Sequence, residues 1–111
     1  MLGNPDPTAI ATDANLTLTI DNIAGGAVQF TGFSAGRTIT TPTAIQLAAA
    51  APDMDIGDSI ILIVSVIPAF AATWAAGVGI TLAGRATVAA SSWNLVQIVK
   101  TGAAAFTWRT L

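Results

Sequence analysis

"GDSIILIVSVIPAFAATWAAGVGITL", residues 57–82, holds the reading on which the fold turns, because no charged side chain occurs between Asp58 and Arg85. A run of this length and polarity is either a membrane span or protein interior. A spanning helix needs about 20 predominantly apolar residues, and the run meets that length. Three features favour strands. "IILIVSVI" is rich in β-branched residues and ends at Pro68, which is the length and composition of a fully buried strand bounded by Gly57-Asp58 on one side and proline on the other. "ITLAG" then alternates Ile80 and Leu82 with Thr81 and Ala83, a period of two, after a bend at Gly77-Val78-Gly79. No Lys or Arg cluster flanks the run to mark a cytoplasmic side. The expectation is two strands, and no membrane.

Working outward, the remainder also reads as strands. "NLTLTID", residues 15–21, alternates Leu16, Leu18 and Ile20 with threonines, as a half-buried strand does, and Gly25-Gly26 follows as a turn. "AVQFTGF" and "RTITT" supply two short strands. "WNLVQIVK" and "FTWRTL", separated by "TGAAA", predict a C-terminal hairpin. One helix interrupts the series: in "TTPTAIQLAAAAPDM", Thr41 serves as cap, Pro42 as the first helical position and Pro52 as the stop, so the helix spans about residues 42–51. Many short strands with a single helix predict a mainly β domain, an antiparallel β-sandwich or jelly roll over residues 15–111. Residues 1–14, with Pro5 and Pro7 and no periodicity, predict an extended N-terminal arm, either a loose tail or a strap lying on a neighbouring subunit.

Composition narrows function by exclusion. The 111 residues suffice for one domain. Cysteine, histidine, glutamate and tyrosine are all missing, which leaves six aspartates, one lysine and three arginines as the ionisable side chains. General acid–base and thiolate chemistry lose their usual carriers, so no enzyme and no cofactor are expected. The four cations, Arg37, Arg85, Lys100 and Arg109, are dispersed, whereas nucleic-acid affinity requires clusters that release counterions. Residues 1–16 lack the basic and apolar regions of a signal peptide, and the sequon Asn15-Leu16-Thr17 is then a chance match. Charged residues make up only 9% of the chain, far below what a freely soluble surface carries, and this predicts burial in an assembly.

Few residues stand out as candidate sites. Asp53, Asp55 and Asp58 in "PDMDIGD" form the densest polar feature, a weak candidate for a cation held by carboxylate oxygens and otherwise a solvated turn. Trp74, Trp93 and Trp108 with Phe30, Phe33, Phe70 and Phe106 belong to core and interface, or to a stacking platform if several are exposed. Arg37, Arg85 and Arg109 are few enough that each is a candidate for a bidentate contact to an aspartate of a neighbouring chain.

From Thr41 onward the order of these features resembles that of small tailed-phage virion proteins. The parts that carry the resemblance are the helix "TPTAIQLAAAAP", the turn "DIGDS" entering "IILIVSVI", the segment "WAAGVGITLAGRATVAASSWNLVQIVKTG" and the final strand "AFTWRTL". Together they cover about two thirds of the chain. The resemblance is to capsid decoration (cement) proteins and to tail- or fibre-associated β domains. It implies a homotrimer without catalysis that binds the major capsid protein on the outer surface of the icosahedral head and clamps adjacent capsomers. A tail- or fibre-associated receptor-binding domain is the alternative it implies. In either role Asn4, Pro5 and Pro7 of the arm, Arg37, and Trp108 and Arg109 of the last strand are the expected interface residues.

Overall fold

A computed structural model describes residues 8–111. Ten strands and two short helices follow one another as β1 (Thr8–Ile10), β2 (Leu16–Thr17), α1 (Ile20–Ile23), β3 (Ala27–Phe30), β4 (Arg37–Thr40), α2 (Ala44–Ala50), β5 (Ser59–Val66), β6 (Ala72–Ala75), β7 (Ile80–Gly84), β8 (Thr87–Val88), β9 (Ser92–Gly102) and β10 (Ala105–Thr110). They build a six-stranded sheet in the order β1-β3-β5-β9-β10-β7 and a four-stranded sheet in the order β2-β4-β6-β8. The chain is mainly β, as its sequence predicts.

The strand directions differ from the expected antiparallel arrangement. From β1 to β9 each successive strand lies in the opposite sheet, and odd-numbered and even-numbered strands therefore segregate. A chain that crosses to the second sheet and returns re-enters the first from the same end, so β1, β3 and β5 are parallel neighbours, as are β2, β4 and β6. Parallel pairing needs a long crossover, and here a strand of the facing sheet, with or without a helix, supplies it. Antiparallel pairing is confined to β5 with β9, β9 with β10, and β6 with β8. Strand β7 closes the far edge parallel to β10. A jelly roll, built from antiparallel pairs, does not describe these sheets.

Register decides which side chains form the core, since paired residues point to one face. On the large sheet the inward row runs through Val28 and Phe30, then Leu62, Val64 and Val66, Val96 and Ile98, and finally Phe106 and Trp108, all buried. Facing it, Ile39, Trp74, Ala72 and Val88 come from the small sheet. Trp74 and Trp108 meet edge to face across the layer with ring centroids 5.2 Å apart. The charge-free run at 59–84 becomes β5, β6 and β7, and no helix among the described residues is long and apolar enough to cross a membrane. Strand β5 is buried on one face only: Ile61 on its outer face and Ile60 at its start remain partly exposed, against the expectation of a strand covered on both sides.

Both helices begin at a threonine whose side chain caps the first turn. In α2 the hydroxyl of Thr43 accepts from Gln46 N–H, and the Gln46 side chain accepts from Thr43 N–H. That reciprocal box places the cap at Thr43 rather than Thr41. Thr41 is instead buried, donating to Pro42 O and accepting from Gly77 N–H, and so ties the helix entry to the loop before β7. Thr19 and Asn22 form the same box around α1, which cuts the strand expected over residues 15–21 down to Leu16–Thr17.

Candidate functional site

The residues expected to meet a neighbouring chain are placed differently from one another. Trp108 is fully buried within the chain: it faces inward on the large sheet, where alternation along β10 puts Phe106, Trp108 and Thr110 inside. Arg109, its neighbour, faces outward and is exposed opposite Gln97. Asn4, Pro5 and Pro7 lie outside the described residues.

Arg37 has a partner within its own chain. Its Nε and Nη2 donate to Asp13 Oδ1 at 3.1 and 2.7 Å, and the same carboxylate accepts from Ser34 N–H at 2.8 Å and from the Ser34 hydroxyl at 2.5 Å. The Ser34 hydroxyl first, then the Ser34 amide and the Arg37 guanidinium, stabilise the charged form and hold the Asp13 carboxyl at about 2. This latch fastens the segment after β1 to the start of β4. Part of the expected arm is thus integral to the domain: Thr8–Ile10 pairs with β3 as an edge strand, and Asp13 is fixed by the latch.

The aspartate turn does not gather its carboxylates. Asp58 Oδ2 accepts from Asp55 N–H at 2.9 Å, as a turn-capping side chain does, and no group of three potential ligands among the described residues is placed to hold a metal ion. The turn is secured to the end of β9 by Gly57 N–H to Lys100 O, by Lys100 N–H to Asp58 O, and by Lys100 Nζ to Met54 O at 2.9 Å. Its role is to close the molecule at this end.

Of the seven aromatic side chains five are core, and only Phe70 and Trp93 are exposed, Trp93 to 63%. Trp93 stands on the outer face of the large sheet directly across from Ser65, beside a concavity formed by Ser65, Val66, Ile67, Ser91, Ser92 and Trp93. A second, wholly aliphatic hollow opens between the helices and the large sheet, lined in part by Ile20, Ile23, Leu47 and Ile60. The outer face of the small sheet is different again: Thr17, Thr38, Thr40, Thr73 and Thr87 occupy it, and Thr38, Thr73 and Thr87 stand side by side on three adjacent strands. None of these surfaces follows from motif spacing. Exposure of Trp93 is set by strand register, for which the only local signal is the alternation of Trp93, Leu95 and Gln97 with inward Val96 and Ile98.

Comparison with known protein families, curated proteins and solved structures finds no match. The resemblance to virion proteins accordingly rests on the sequence motifs.

Proposed function

We propose that this protein is a structural virion component, a capsid decoration protein that binds the outside of an icosahedral head as homotrimers and stabilises contacts between capsomers of the major capsid protein. The observation that carries the reading is the balance of the surface. Among the described residues ten large apolar side chains, including Ile45, Ile56, Ile61, Val78 and Leu111, are exposed, as many as the ten charged residues of the whole chain. Isolated exposed apolar residues need no explanation, but a surface this poor in charge favours association with other protein surfaces. A two-sheet body with broad uncharged faces suits many weak contacts repeated by a multivalent ring, where trivalency multiplies a modest affinity.

The test is the mass of the purified chain by light scattering, followed by incubation with bare heads. A trimer that saturates heads at a fixed copy ratio is the expected result. A trimer that leaves heads unoccupied, or a monomer, would refute the decoration role and leave the fibre-associated alternative.

A further inference from the structure

We propose that the concavity beside Trp93 is a carbohydrate subsite that takes one neutral sugar ring. The proposal concerns a site separate from attachment to a shell and does not rest on it. Three independent observations converge there. First, Trp93 is the one exposed tryptophan, since Trp74 is 5% and Trp108 0% exposed. An indole with a free face offers a flat apolar body and a polar edge, the shape that stacks against the C–H face of a pyranose while its rim hydrogen-bonds.

Second, the concavity is built from two loops that are fastened together. Ser91 N–H donates to Pro68 O at 3.0 Å, and the Ser91 hydroxyl reaches the carbonyls of Ile67 and Pro68 at 3.4 Å. The Ser92 hydroxyl donates to Ala89 O at 2.7 Å. With its proton committed to Ala89 O, the Ser92 hydroxyl presents lone pairs that accept from sugar O–H groups, and the Ser91 hydroxyl, only loosely engaged at 3.4 Å, is free to donate or accept. Ser65, opposite Trp93, adds a third hydroxyl. Third, Ser91 is the one non-glycine residue among those described with positive φ, at 52°. Non-glycine backbone in this sparsely populated region gathers at functional sites, and Ser91 lines the same concavity as Ser92 and Trp93.

Size and charge select the ligand class. The concavity of about 230 Å³ is smaller than the roughly 300–1,000 Å³ of sites for drug-sized molecules, which suits a single ring at the end of a longer glycan. No lining residue is charged, so neutral hexoses and N-acetylhexosamines fit and acidic sugars gain nothing.

A printed array of glucose-, galactose-, mannose- and N-acetylhexosamine-terminated oligosaccharides, probed with the intact chain and with Trp93→Ala, Trp93→Phe and Ser91→Gly, tests this. Because Trp93 alone is exposed, titration with the best array hit should also change intrinsic tryptophan fluorescence. The expected result is binding to neutral termini that falls about tenfold or more in Trp93→Ala, less in Trp93→Phe, and measurably in Ser91→Gly, whose melting temperature is unchanged or higher because glycine relieves the strained φ. Absence of signal on the whole array, or equal binding by Trp93→Ala, overturns the proposal. So does a Trp93→Ala chain that binds no differently on the array but loses its oligomeric mass, which would make Trp93 a subunit contact.

Discussion

Gly84 ends β7 at φ 72°, and a Cβ there would run into the carbonyl oxygen of Thr110 on the parallel neighbour β10. Gly57, at φ 97° in the turn before β5, has nothing near the same position. Alanine at Gly57 therefore costs only backbone strain, about 1–2 kcal/mol, whereas alanine at Gly84 adds a displacement of β7 and should cost clearly more. Urea denaturation of the two variants measures the difference, and equal losses would contradict the edge geometry. Asp13 makes a pH prediction at the same scale. Its carboxyl lies at about 2 in the fold against an ordinary 3.8. A carboxyl depressed by folding contributes stability that is fully present above the ordinary value and is lost as pH falls from there toward 2. Asp13→Asn should therefore melt below the parent at pH 7, with the gap shrinking once pH falls below the ordinary value and much smaller at about pH 2. A gap that is the same at both pH values would mean that the Ser34–Arg37 latch contributes nothing through charge.

At the scale of elements, α2 shows how a reciprocal side-chain cap, and not the proline, fixes where a helix starts. Pro42 has a preset φ suited to a first helical turn, but the pair Thr43 and Gln46, three apart, satisfies two amide donors that Thr41 cannot reach while it is held by Gly77. Thr43→Ala should lower stability by about 1 kcal/mol, visible as a smaller denaturation midpoint with an unchanged slope, and Thr41→Ala should cost at least as much because its hydroxyl is buried between two partners. The helix itself was legible from its alanines and flanking prolines, but its start reads two residues early, at Thr41, and α1 reads as part of a strand. Strand β5 was also legible as a strand from its β-branched run, as was the hairpin of β9 and β10. The half-exposed outer face of β5 was not, because a continuous apolar run looks the same whether one face or two are covered.

For the whole molecule, winding between sheets makes the N-terminal part of the domain depend on its neighbours in space and not in sequence. Strand β1 hydrogen-bonds to β3, 20 residues on in register, and Asp13 to Ser34 and Arg37. Removing residues 1–14 should thus destabilise the domain itself as well as weaken any attachment to a shell, whereas removing residues 1–7 spares both contacts. Thermal melts of the two truncations distinguish these roles, and identical melting temperatures would mean that β1 and the latch add nothing to the fold.

What the amino-acid sequence determined by itself is local or compositional: strands where β-branched residues alternate or run together, one helix between Pro42 and Pro52, and a surface short of charge because the chain has only ten charged residues to place. The tertiary structure alone decided strand direction, which face of β9 carries Trp93 outward, and why Trp108 is core. The physical reason is that a strand hydrogen-bonds to whichever strand the fold brings alongside, near or far in sequence, so turn signals mark where a strand ends and not which strand it will lie beside. Register then assigns every side chain to one face or the other, and a residue's exposure is inherited from the partner strand as much as from its own identity.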